Sequence, residues 1–293
     1  MKKITMNKLF TTVTLCAGLL FANAVNAESS VWKVSKDNDV VYIGGTIHIL
    51  PVSEFPLPTE FTDVYKITDA IVLETTLPDP TDTKFQMQMM KKMSYSNGKK
   101  LTDVLSKKTY KQLSEYITGF GANLNDLSAF KPGFVAAMMA MMEAQRSHIS
   151  GDGVDAYFNQ LAVKNNKAIE YFETMEFQLD MLSNMGLGDE ESFIKSNLSQ
   201  MKDFKSMFDQ LIKAWRAGDD KKLAELVIEP MKDDPKTLKS LITDRNENWI
   251  PHIEKMFGDK DKEFVLVGVG HLVGDQSVLA LLKAKGYKVE KVK

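Results

Sequence analysis

Two segments near opposite ends of the chain finish with the same pattern, a glycine, two further residues and a histidine. The first ends at His48 after an apolar run from Val40, and the second ends at His271 after an apolar run from Phe264. Runs of β-branched and aromatic residues of this kind predict buried strands. Two such strands side by side would bring both imidazoles to one sheet edge. Imidazole is a metal ligand and a base near pH 7, so the pair indicates a site.

Two further predicted strands end in a carboxylate. The run from Ala70 to Leu73 ends at Glu74, and the run from Ala168 to Phe172 ends at Glu173. Ligands of open α/β sheets bind at the carboxyl ends of strands, where these four side chains would meet. A glutamate there can complete a ligand set of two histidines and one carboxylate, or act as a base toward water. Solvated strand-end carboxylates are the alternative, and which glutamate works is left open.

Arg245 and Asp155 give weaker signals. Arg245 lies in a predicted helix, where it either forms a salt bridge or stabilises negative charge on a reaction intermediate. Asp155 ranks below the glutamates because an acid in the first turn of a helix has a structural reason to be there. The methionines at 87–93 and 138–142 have helical spacing, which favours a core or an apolar groove over a copper site.

Strands at both ends of the chain enclose long helical patterns at about 81–166 and 174–257. This order predicts an α/β (α+β) fold, a central mixed β-sheet built from N- and C-terminal strands and flanked by helices, with a large helical insertion. One domain over 28–293 is expected at this length. Within it we expect one amphipathic segment from Glu190 to Ala217 and an edge strand from Tyr287 to Val292.

The first residues read as a cleavable export signal over 1–27, which predicts a periplasmic or secreted protein. Leu15 before Cys16 argues against a lipid anchor, and no later run is long enough to span a bilayer. Loss of three lysines with the signal would take the formal net charge from −2 to −5, which argues against nucleic acid and anionic membranes as partners. Cys16 is the only cysteine, so cysteine chemistry is excluded from the mature chain.

The ordered motifs resemble the TraB/GumN family over nearly the whole mature chain. They are the two glycine–histidine motifs, Val72-Leu73-Glu74-Thr75, Gly153-Val154-Asp155, Tyr171-Phe172-Glu173-Thr174 with Gln178, and Arg245-Asn246 with Trp249. The resemblance implies a fold shared with erythromycin esterases and haem-binding ChaN-like proteins. It also implies a site of His48, His271, Glu74 and Arg245, with Glu173 as a second glutamate. Phe172 replaces the leucine of the family's Leu-Glu-Thr motif.

Three functional hypotheses follow. The leading one is an exported, metal-assisted hydrolase of a peptide or another amide or ester bond, since the animal TIKI members of the family are metal-dependent peptidases. His48, His271 and Glu74 would hold manganese, cobalt or zinc, and Arg245 would stabilise the intermediate. The second is a metal-independent hydrolase with a histidine base held by a glutamate. The third is a non-enzymatic envelope protein that binds haem or another ligand. The substrate and oligomeric state are not predicted.

Overall fold

The computed structural model describes residues 29–77, 81–258 and 260–293. The predicted export signal therefore lies outside the described residues. None of the helices formed by these residues has the length and apolar character needed to cross a membrane.

A six-stranded mixed sheet forms the centre of the molecule, in the order β6-β4-β7-β2-β1-β8. Strands β2, β7, β4 and β6 run parallel, whereas β1 pairs antiparallel with both β2 and β8. The strands are β1 (Val31–Lys36), β2 (Asp39–Thr46), β3 (Ile49–Leu50), β4 (Ala70–Leu73), β5 (Gly151–Asp152), β6 (Ala168–Tyr171), β7 (Glu263–Gly268) and β8 (Lys288–Lys291). The predicted fold class is confirmed, and the last strand is an edge strand as expected.

Helices cover both faces of this sheet and form the insertion. They are α1 (Thr59–Ile67), α2 (Thr83–Met93), α3 (Lys107–Thr118), α4 (Leu124–Leu127), α5 (Pro132–Arg146), α6 (Val154–Asn165), α7 (Met175–Asn184), α8 (Glu190–Gln200), α9 (Phe204–Arg216), α10 (Asp220–Val227), α11 (Pro235–Leu238), α12 (Asp244–Met256) and α13 (Val278–Ala284). A π-helical turn, Lys239–Thr243, joins α11 to α12.

The central strands are buried on both faces. Leu73 of β4 packs into the cluster that contains Phe158 and Trp215, whereas its neighbour Val72 packs on the opposite face with Trp249. Strands with two covered faces read as continuous apolar runs, which is why the sequence indicated them clearly. A third cluster lies within the helical insertion, and its buried methionines include Met139.

Two features differ from expectation. The segment predicted as one helix is two, because a short 3-10 turn, Met201–Asp203, separates α8 from α9. A two-stranded ribbon, β3 paired antiparallel with β5, was not predicted because two residues are too few to show a periodic pattern. The ribbon approaches so closely that a Cβ on Gly153 would lie 2.3 Å from the carbonyl carbon of His48, so only glycine fits there.

Helix α9 is tied to the sheet just ahead of His48. The fully buried indole of Trp215 donates a hydrogen bond of 2.7 Å to the carbonyl of Gly45. The hydroxyl of Ser30 in turn donates to the Trp215 carbonyl at 2.9 Å. These two bonds fix the end of β2 against α9, and they therefore fix where the histidine loop leaves the sheet.

Replacement of Trp215 by phenylalanine should lower the free energy of unfolding by about 2–3 kcal/mol, because the buried Gly45 carbonyl loses its donor. Trp32→Phe is the matched control, since Trp32 is 4% exposed and its ring lies beneath Lys291 Nζ. We expect the free energy of unfolding to fall clearly less in this control. Urea denaturation of both variants measures the difference, and equal losses would contradict the role given to the indole bond.

Candidate functional site

The carboxyl ends of four parallel strands bring the predicted residues to one edge of the sheet. His48 follows β2, Glu74 follows β4, Glu173 follows β6 and His271 lies in the 3-10 turn after β7. Arg245 reaches the same edge from the first turn of α12, directly after the π-helical turn. Helical distortions of this kind are frequent at functional sites.

Arg245 is the centre of a buried charge cluster. Its Nε and Nη2 donate to the two carboxylate oxygens of Glu173 at 2.8 and 2.9 Å, and Nη2 also donates to Glu74 Oε2 at 2.5 Å. Its Nη1 donates to the carbonyl of Leu241 at 3.2 Å and to His271 Nε2 at 3.0 Å. A guanidinium has five N–H groups, so this environment occupies all of them.

These contacts determine the protonation of His271. Because a guanidinium can only donate, His271 Nε2 must accept, and the ring proton is therefore assigned to Nδ1, which donates to Asn246 Oδ1 at 2.6 Å. Burial of the ring lowers the pKa of His271 to about 3, with Arg245 contributing and Glu74 opposing the shift. His271 is consequently neutral at physiological pH.

The two glutamates are held by further donors. Glu74 Oε1 accepts from the Gly268 backbone at 2.7 Å, and Gln178 Nε2 donates to Glu74 at 3.3 Å and to Glu173 at 3.0 Å. Although burial opposes ionisation, the positive charges of Arg245 and protonated His48, the imidazolium that His271 forms only in acid, and this backbone N–H lower the pKa of Glu74 to about 2. Glu74 is therefore an oriented carboxylate at neutral pH.

Trp249 closes the buried side of this cluster. Its indole donates to Glu173 Oε1 at 2.9 Å, and its ring centroid lies 4.4 Å from that of His271. The guanidinium carbon of Arg245 lies 4.8 Å from the indole centroid, a cation–π distance. Water is thereby kept from the inner half of the site.

His48 differs from His271 in both exposure and charge. Its side chain is 62% exposed, and Nδ1 lies 3.3 Å from Asp155 Oδ1, an ion-pair distance. This oxygen is buried and has no aligned hydrogen bond to any described residue. Although surrounding protein atoms oppose the charge, Asp155 and more weakly Glu74 raise the pKa of His48 to about 9. The two histidines are thus inequivalent, because His48 favours its protonated form and His271 its neutral form.

A small space above Gly268 joins the two halves. A Cβ on this residue would lie 3.2 Å from Glu74 Oε1, 3.5 Å from His48 Nε2 and 3.7 Å from His271 Cδ2. Gly268 is half-buried, so the space is open to solvent. The absent side chain leaves both polar atoms uncovered on the same side of the Gly268 backbone. We call this space the Gly268 cradle.

The predicted set of three metal ligands is not formed. Across residues 29–77, 81–258 and 260–293, no group of three or more His, Cys, Asp or Glu side chains is arranged to hold a metal ion. Arg245 donates to His271 Nε2, and the His271 atom nearest the cradle is a ring carbon, Cδ2. The residues therefore do not fit an ion bound by His48, Glu74 and His271 together. A divalent ion or a haem at this edge stays a prediction.

Asp155 lies closer to the site than the sequence indicated. It reaches His48 because α6 begins beside the histidine loop, with the Val154 N–H donating to the Ile47 carbonyl at 3.0 Å. Asn246 and Gln178 were noted only as neighbours of the family motifs, yet they orient His271 and Glu74. Their positions next to Arg245 and five residues after Glu173 were the available signals.

The family model of the TraB/PrgY/gumN family matches residues 30–291, which confirms the resemblance found in the sequence. No curated protein and no solved structure matches the chain.

Replacement of Arg245 by lysine should lower the free energy of unfolding by about 3–5 kcal/mol, because lysine cannot bridge two buried carboxylates and leaves charge unpaired. Arg216→Lys is the control, since Arg216 forms its ion pair with Glu54 at the surface and its side chain is 40% exposed. The control should lose no more than about 1 kcal/mol. Chemical denaturation measures both, and similar small losses would show that the buried cluster does not hold the site together.

Proposed function

Because the chain belongs to the TraB/PrgY/gumN family, we propose that it is a hydrolase that cleaves a peptide or another amide or ester bond with an activated water. The Gly268 cradle carries this proposal, since His48 Nε2 and Glu74 Oε1 both approach the uncovered side of this glycine, and a water held between them would contact both. The proposal includes export, so the enzyme would work in the periplasm or outside the cell once the predicted signal is removed.

His48 is the proposed general base. In its neutral form it takes a proton from the water in the cradle while the water oxygen attacks the carbonyl carbon and the carbonyl electrons move to oxygen. Asp155 stabilises the resulting imidazolium. When the carbonyl re-forms, the bond to the nitrogen or oxygen leaving group breaks and His48 returns the proton to that group. Glu74 Oε1 accepts the second hydrogen of the water and so orients it.

Arg245 has a different role in this proposal from the one expected of it. With every N–H in use, it has no donor left for a negatively charged intermediate. It acts instead as a positioning residue that fixes Glu74 and keeps His271 neutral. Glu173 and His271 likewise hold the inner wall rather than touch the substrate.

A divalent ion is the second candidate for activating the water, because the acidic surroundings that favour a proton on His48 also favour a metal cation. His48 and Glu74 would be its protein ligands, and manganese, cobalt or zinc would supply polarisation of the water or carbonyl. Exhaustive chelation separates the candidates. Activity that survives it supports the histidine base, and activity restored only by added metal overturns that version.

Alanine at Gly268 should abolish most activity while leaving the fold intact. The backbone φ of −50° suits alanine, but its methyl group would fill the cradle and displace the water. We expect a loss of about 100-fold in kcat/KM, the scale of a misplaced reacting group. A proteome-derived peptide library and a panel of chromogenic esters serve as substrates. Gly119→Ala, at the exposed end of α3, is the matched control, and full activity in Gly268→Ala would exclude the cradle as the water site.

The pH dependence of kcat/KM should report His48. A base with its pKa raised to about 9 is mostly protonated at pH 7, so kcat/KM should rise with pH, reach half its maximum near pH 9 and level off above that pH. Asp155→Asn removes the interaction that raises the pKa of His48, so the rise of kcat/KM in this variant should occur at lower pH. His48→Gln should lose about 10²- to 10⁴-fold in kcat/KM on the alkaline plateau and should no longer show the rise with pH. An unshifted profile in Asp155→Asn would rule out the dyad.

A further inference from the structure

A long groove runs along α9, away from the residues described above. Two adjoining cavities of about 1090 and 550 Å³ form it, and they share Lys205, Asp209 and Lys213. These residues are four apart and lie on one face of the helix. The lining extends from Lys202 to Ala217, which at 1.5 Å per residue makes the groove roughly 22 Å long. We call it the α9 groove.

The groove begins close to the proposed base. Pro51 lines it and follows His48 by three residues, so at 3.8 Å per residue their Cα atoms lie within about 11 Å of each other. Ile149, which also lines it, immediately precedes the β5 side of the ribbon that leads to Asp155. The β3–β5 ribbon therefore connects the His48–Asp155 pair to the groove.

The lining suits a polypeptide better than a small molecule or a lipid. The floor is formed by buried apolar side chains, Leu57, Ile149 and Ile212, and the rim carries charged groups of both signs. The larger cavity alone exceeds the roughly 300–1,000 Å³ typical of sites for small ligands. At about 3.3 Å per residue, the groove length accommodates six or seven residues of extended chain.

Among the described residues, two cations on the rim are available to a ligand. Arg216 is paired with Glu54, and Lys205 with Asp209. Lys213 is exposed and forms no ion pair with any residue that the structure describes. Lys202 is likewise exposed and has no ion pair with a described residue, but it lines only the smaller cavity, so Lys213 is the unpaired cation that both cavities share.

We propose that the α9 groove binds an extended polypeptide that continues from the bond held at His48, and that Lys213 selects an acidic side chain within it. This inference rests on the proposed hydrolase function, whose substrate class it narrows to polypeptides. Alternate side chains of the extended chain would pack on the apolar floor while the others face the charged rim. The ribbon would keep the groove and the base in fixed register.

The test is a binding measurement that does not need catalysis. Full-length His48→Gln protein is immobilised and incubated with a proteome-derived peptide library, and retained peptides are identified by mass spectrometry. Peptides with acidic residues should be enriched over the input. Adding Lys213→Glu should reduce that enrichment about fivefold or more, the upper scale of one exposed ion pair. Adding Lys164→Glu, on the exposed end of α6, should leave it unchanged.

The outcomes separate this inference from the proposed function. No retained peptides, or the same peptides retained with and without Lys213→Glu, would overturn the groove assignment even if the wild type hydrolyses the ester panel. Acid-selective retention with no cleavage of the library or the esters by the wild type would support the groove and overturn the hydrolase.

Discussion

The ion pairs of Arg245 are the constraint on which the site depends. They allow two carboxylates, 11% and 8% exposed, to stay charged at a sheet edge that Trp249 shields from water. Isolated charges would be costly there, but here nearly every polar atom has a partner. One cation between two anions leaves a net negative charge. Glu74 adds to the larger effect of Asp155 in raising the pKa of His48, whereas burial, assisted by the guanidinium, lowers the pKa of His271.

Two similar motifs thus place their histidines in different surroundings. Both histidines follow a glycine at the end of a parallel strand, yet one side chain is 62% exposed and the other 5%. The enclosed histidine is fixed by two hydrogen bonds, to Arg245 and Asn246. The exposed histidine has one acidic partner and faces solvent. In the proposed mechanism, the fixed buried residues and the one accessible histidine orient the water without a rearrangement of the site.

The sequence predicted the parts of this arrangement that depend on local pattern. Strands buried on both faces appear in the sequence as apolar runs. The residues at their ends, including His48 and His271, could therefore be placed at one edge of the sheet. The sequence could not predict that all five N–H groups of Arg245 are hydrogen-bonded, because this depends on the positions of Glu74, Glu173 and Leu241. The break before α9 was missed because the amphipathic pattern continues through Met201–Asp203.

The partnership of His48 with Asp155 was missed for a related reason. It depends on a ribbon of two-residue strands, which has no periodic signal, and on a backbone approach that only Gly153 permits. This glycine is therefore as much a part of the site as the acid two residues after it. Because the same ribbon continues into Pro51 and Ile149 at the α9 groove, a shift of the ribbon would move the base and the groove wall together. The position of His48 and the shape of the groove are set by one short piece of antiparallel backbone.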